Sequence, residues 1–270
     1  MAGTEPAGTV APAVLRDKRS SLAMYCLGSF RAYQNDRLIT DWNGLKGQAI
    51  LKYLVAHQGT PIARDILMDV FWPDAAPEAA RRNLHQAIYS LRQTLKHEQP
   101  DVQHIRFEGE CYALNPELNI WLDYQEFERH IQSAQQLERA GQIAEAMAAY
   151  GIAAELYQGD FLKDDLYVDW PRWRREHLRN LYFEVIDRLS AYDVAQANYT
   201  AAIALCQKIL AQDRCYEEAH RRLMQCYLAI GQRHAAVRQY QACVAALQAE
   251  LDLTPSEETM ALYEQIMATA

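Results

Sequence analysis

Apolar positions along this chain change period several times, and each change marks an element. Leu22–Tyr33 (LAMYCLGSFRAY) is dense in strand formers, and Asn35-Asp36 is a turn signal ahead of a second short strand, Arg37-Leu38-Ile39. A helical period follows over Leu45–His57, with Ile50, Leu54 and Val55 on one face, and it stops at Gly59 and Pro61. A second helix is predicted over Arg64–Phe71, ending before Pro73. A third begins near Pro77-Glu78, where a proline and an acid suit the first turn, and runs to about His97. Val102–Phe107 and Cys111–Leu114 then read as two strands around Glu108-Gly109-Glu110. Sheet, three helices and hairpin, in that order, describe a winged helix-turn-helix.

From about Tyr124 the pattern is almost entirely helical. Gly141-Gln142, with Ala146 and Tyr150 five and nine residues on, recurs as Gly231-Gln232 with Ala236 and Tyr240. A weaker copy begins at Ala197, with Ala202 and Cys206 at the same offsets. The last two copies lie 34 residues apart, the tetratricopeptide period. The first two lie 56 apart, and the 22 extra residues fall around Gly159–Trp173 (GDFLKDDLYVDWPRW). The expected fold is therefore mostly α with a small β component. A winged helix at 22–118 precedes an α-helical tetratricopeptide-like solenoid at 119–270, with a disordered tail at 1–21. A plain all-α bundle is the simpler reading of the second half. In the insertion, Asp160, Asp164, Asp165 and Asp169 with Trp170 and Trp173 suggest either a partner site or, preferably, a capping loop. In that loop the large rings plug the gap between helix pairs. Arg172, Arg174, Arg175 and Arg179 are expected to pair with those acids rather than touch nucleic acid.

Charge sharpens this picture. The net charge is −8, which argues against a nucleic-acid binder until the chain is divided. Residues 1–110 hold 13 Lys and Arg against 12 Asp and Glu, and the remainder 14 against 23. The acid is C-terminal, and a local basic face is felt within about a Debye length, roughly 8 Å. Such a face lies on the third helix. At about 100° per residue, Leu84, Ile88, Leu91 and Leu95 form one apolar stripe. Arg82, Gln86, Tyr89 and Gln93 project oppositely with Ser90 beside them, and Arg81, His85, Arg92 and Lys96 flank the stripe. No acid follows Glu78 until Glu98. Arg and Gln can bond base edges in pairs, and Lys and Arg neutralise phosphates. A solvated basic face is the blander alternative. The wing supplies Arg106 and His104 as donors, while Glu108 and Glu110 oppose phosphate.

Other classes find less support. The six cysteines form no CxxC pair, and they read as reduced, mostly buried thiols with no metal. There is no phosphate loop, GxGxxG, GxSxG elbow, kinase set or HExxH, so neither an enzyme nor a cofactor is expected. No secretory signal or apolar run of membrane length occurs, which points to a cytoplasmic protein without a membrane partner. An adaptor that grips protein through the helical array is the main rival; an adaptor would more often expose an apolar patch on the third helix. RNA binding would want exposed aromatics, and Tyr89 alone answers that description.

The segments YCLGSFRAY, LKGQAILKYLVAH, DILMDVFWPD and NLHQAIYSLRQTL resemble the OmpR-type winged helix of Streptomyces antibiotic regulatory proteins. LYQGDFLKDDLYVDWPRWRREHLRNLY and EEAHRRLMQCYLAIGQRHAAVRQYQAC resemble the bacterial transcriptional activator domain that follows it. The resemblance covers about residues 22–270. It implies promoter binding at direct repeats by two protomers side by side, and recruitment of RNA polymerase holoenzyme through its sigma subunit. The reading helix maps to Ala80–Lys96. The polymerase-contacting loop maps to Phe71–Pro77, with Trp72, Asp74 and Glu78 as the residues to test. Two positions depart from the family pattern: Ser90 stands where Arg is usual, and Cys111 stands where Gly is usual.

Overall fold

A computed structural model describes residues 22–34, 36–96, 103–165 and 167–268; the expected tail at 1–21 lies outside them. The chain divides into two compact units, residues 1–123 with 162–171, and residues 124–161 with 172–270.

In the first unit the strand-rich start is not one strand. It turns at Gly28 (φ 108°) into β1 (Leu22–Tyr25) and β2 (Arg31–Gln34), which pair antiparallel with Ala23 opposite Tyr33. β3 (Arg37–Leu38) continues the meander. Three helices follow, α1 (Leu45–Ala56), α2 (Arg64–Phe71) and α3 (Pro77–Lys96), with a two-residue β4 (Ile62–Ala63) ahead of α2. The wing is β5 (Ile105–Glu108) and β6 (Cys111–Leu114), joined at Gly109 and Glu110. Both turn residues have positive φ, 56° and 64°, the two-residue geometry that matches strand twist. β4 pairs with β6, giving the order β4-β6-β5. β7 (Ile120–Leu122) then joins the first sheet parallel to β1, completing the order β3-β2-β1-β7.

Leu51, Leu67, Leu84, Leu91 and Leu95 are fully buried between the helices. Gly47 explains how closely α1 and α3 approach. A Cβ there would sit 3.4 Å from the Ala87 carbonyl and the Leu91 Cβ. Lys46 donates to the Phe71 carbonyl at 2.9 Å, satisfying an end group of α2.

The second unit is helical: α4 (Asp123–Arg139), whose first residue belongs to the first unit, α5 (Ile143–Leu156), α6 (Arg172–Ala195), α7 (Tyr199–Leu210), α8 (Glu217–Ala229), α9 (Arg233–Leu251) and α10 (Glu257–Ala268). The three sequence copies fold alike. Gly141, Ala197 and Gly231 have φ of 77°, 61° and 76°. The next N–H reaches back five residues in each: Gln142 to Leu137 (2.9 Å), Asn198 to Asp193 (2.7 Å) and Gln232 to Tyr227 (2.7 Å). This is the Schellman end, and it turns each helix pair in the same way. Ala146, Ala202 and Ala236, five residues on, are all fully buried. The 22 extra residues are shared between a connecting segment and α6, which has 24 residues against 13 in α8.

That connecting segment departs from the capping-loop expectation. Phe161 does fill the helical unit, edge-on to Tyr124 at 5.6 Å. Leu162–Pro171, however, belongs to the winged-helix unit. Its Leu162 and Lys163 amides donate to the Cys26 and Gly28 carbonyls (2.7 and 3.1 Å). Asp165 pairs with buried Lys52 at 2.6 Å, and Trp170 packs edge-on to Tyr53 at 4.9 Å. Trp173 plugs nothing: it is 72% exposed and stacks on His177. Of the four arginines, Arg179 pairs with Asp160 as expected. Arg172 pairs with Glu176, Arg175 donates to the Phe161 carbonyl, and Arg174 lies over the Tyr124 ring.

Candidate nucleic-acid interface

The apolar stripe of α3 does what its period predicts. Ala80, Leu84, Ala87, Ile88, Leu91, Thr94 and Leu95 are buried, which turns the other side outward. Arg81, Arg82, His85, Gln86, Tyr89, Gln93 and Lys96 are all exposed on it, Tyr89 at 60%. Among the described residues, this face carries no acid beyond Glu78 in its first turn. Sequence reasoning passes over Asn83, which is exposed beside Arg82; its signal was its place on the same sign-pure turn.

Two of the residues read from the sequence point elsewhere. Ser90 is half-buried and its hydroxyl donates to the Asn43 carbonyl at 2.5 Å, tying the middle of α3 to the loop before α1. Arg92 is half-buried and donates through Nη2 to the Ile105 carbonyl of the wing at 2.9 Å. Burial pushes the Tyr112 phenol up, against the pull of Arg92 and Arg64.

The wing is also rearranged relative to its sequence. Arg106 is half-buried and pairs with Glu117 at 2.8 Å. His104 is not an outward donor: it is 2% exposed, with its Nε2 3.4 Å from the Gln34 amide nitrogen. Glu110 is countered by Arg64, through a 2.5 Å ion pair and an Arg64 N–H bond to the Glu110 carbonyl at 2.9 Å. That pairing reduces the repulsion of phosphate that Glu110 alone would exert. Cys111 sits opposite Ala63 in the β4–β6 pair, where its side chain is accommodated in regular strand geometry.

The turn between α2 and α3 carries Trp72, half-buried under the Lys46 ammonium (5.5 Å), with Asp74 and Glu78 exposed. A cleft of about 390 Å³ opens beside it, lined by Asp65, Met68, Asp69, Trp72, Glu78 and Arg81 among others. Among the described residues no cluster of His, Cys, Asp and Glu is placed to hold a metal ion, and no helix is long and apolar enough to cross a membrane.

Comparison with known proteins agrees with this division. Residues 45–112 match the family model described as transcriptional regulatory protein, C terminal, and residues 122–267 match the bacterial transcriptional activator domain. The transcriptional regulatory protein MoaR1 of Mycobacterium tuberculosis is 24% identical over 223 residues, spanning 82% of this chain and 72% of its own. The Mycobacterium bovis MoaR1 matches equally. In the solved structures, Mycobacterium tuberculosis EmbR in complex with a low affinity phosphopeptide superposes with a TM-score of 0.77 at 20% identity. The match covers 92% of this chain but 65% of that one, so the likeness is one of fold. With one domain model spanning more than half its length and the second covering the winged helix, the chain belongs to the bacterial transcriptional activator domain family, as a Streptomyces antibiotic regulatory protein-like transcriptional regulator.

Proposed function

We propose that this chain is a sequence-specific DNA-binding transcription activator whose α3 enters the major groove. The observation that carries the reading is the outward face of α3. Seven side chains read from the sequence, Arg81, Arg82, His85, Gln86, Tyr89, Gln93 and Lys96, are presented together on one rigid helix. Arg82 and Gln86 lie one turn apart, the spacing at which both reach base edges, while Arg81 and Lys96 reach phosphates. Arg106 on the wing adds a contact by exchanging Glu117 for a phosphate. Two protomers lie side by side on direct repeats, as the resemblance implies. The polymerase holoenzyme is engaged through the α2–α3 turn. Trp72 and Glu78 line a cleft there together with Asp65 and Asp69, and Asp74 is exposed on the same turn, an acidic setting that suits a basic segment of the sigma subunit.

The test is selection from random duplex DNA followed by salt titration on the winning site. Direct repeats are expected. For about five phosphates per protomer the log–log slope is about −4 to −5. Arg82→Ala and Gln86→Ala each blur particular base positions, and Trp72→Ala or Asp74→Ala leaves binding intact while lowering transcription. If no sequence is enriched and binding is weak even at low salt, the reading fails. The chain is then an adaptor and its partner a protein.

A further inference from the structure

Arg92 is the basic residue of α3 that faces inward. The wing strand β5 is the edge of its sheet, so one row of its backbone groups has no strand beside it. The register shows which. Asn115 donates to the His104 carbonyl at 2.9 Å, which makes that a hydrogen-bonded pair. The alternation of an antiparallel ladder then turns the next carbonyl, that of Ile105, away from β6. Ile105 is fully buried, so water does not serve that carbonyl. The Arg92 guanidinium takes it at 2.9 Å, while its Nε is sealed from solvent without a partner. The guanidinium is thus tied to the wing by one hydrogen bond, and its Nε is closed off from solvent.

We infer that Arg92 is a positioning residue that fixes the wing against the recognition helix, and not one of the groups that touch DNA. The inference rests on the DNA-binding reading above. A side chain that links α3 to the wing sets where the two elements meet a duplex relative to each other. Its loss displaces the wing while leaving Arg82 and Gln86 in place.

The experiment uses the full chain, with Arg92→Met and Arg92→Lys beside the parent protein, on the duplex selected for the parent. For Arg92→Met the affinity falls about tenfold, the equivalent of one charge-assisted hydrogen bond. The salt slope stays within about 0.3 of the parent, and base preference is lost at one edge of the site and kept at its centre. Arg92→Lys keeps the charge but lacks the planar fork and its reach, so it behaves like Arg92→Met. A slope reduced by about 0.9, restored by Lys, makes Arg92 a phosphate contact and overturns the inference. Unchanged base preference across the whole site overturns it as well, because the residue is then only structural. A parent protein that shows neither selection nor salt dependence overturns the DNA-binding reading itself, an outcome distinct from both.

Discussion

Removing the Asp165 carboxylate isolates the contribution of the segment that the helical repeats lend to the winged helix. Lys52 lies in the middle of α1, is 7% exposed, and has its ammonium 2.6 Å from Asp165 and 5.1 Å from the centre of the Phe30 ring. A fully exposed pair contributes about 0–1 kcal/mol, whereas breaking a fully buried one costs about 3–5 kcal/mol because a charge is stranded. The Asp165 side chain is 26% exposed, so the pair falls between these limits and Asp165→Ala is expected to cost about 2 kcal/mol. The loss appears locally, as amide hydrogen exchange in the peptides covering α1 and 162–171 that is about thirtyfold faster. Lys52→Met added to Asp165→Ala removes the stranded charge and returns most of the loss, a coupling of about 1–3 kcal/mol. An Asp165→Ala effect below about 0.5 kcal/mol, or a double variant no better than the single, refutes the reasoning. The segment would then be a passive tether.

The repeat turns give a test of opposite sign. Ala197 holds φ 61° where its counterparts are glycines, so Ala197→Gly is expected to stabilise by about 0.5–1 kcal/mol in urea titration. Gly231→Ala has no atom within 4 Å to meet its new methyl, and is expected to cost about 1 kcal/mol from backbone strain alone. Burial pushes the Asp160 carboxyl up, but hydrogen bonds from Arg179 and Tyr157 outweigh it and hold the group below the usual carboxylate range. A depressed carboxyl stabilises the fold above its unfolded value, about 3.9, and that stability is lost as pH falls through the folded one. Arg179→Met therefore destabilises more at pH 6 than at pH 3; equal losses at both would sink the assignment. Burial raises the thiols of Cys206 and Cys243 to about 11 and about 12, so at pH 8 both should resist iodoacetamide until the chain unfolds. Cys111, half-exposed on the wing, should be labelled first by mass spectrometry.

Elements whose signals are local can be read from the chain alone. The 3.6-residue period of Leu84, Ile88, Leu91 and Leu95 fixed which side of α3 is core, and hence which side is free. The offsets of Gly141, Ala197 and Gly231 fixed three equivalent helix ends, because a left-handed turn residue is a demand made within six residues of chain. The remaining features depend on contacts between segments distant in the chain. A two-residue strand such as β4 and a parallel partner such as β7 have no periodicity of their own; what makes them strands is the edge they meet, β6 and β1. The same holds for side chains with two possible uses. Ser90 and Arg92 look on a helical wheel like their exposed neighbours, and it is the Asn43 and Ile105 carbonyls, 47 and 13 residues away, that claim them. The acids and aromatics of 159–173 announced a special segment but not its destination. That Asp165 and Trp170 serve α1, more than a hundred residues earlier, follows from a buried lysine that needs a counter-charge, and burial is a property of the folded chain alone.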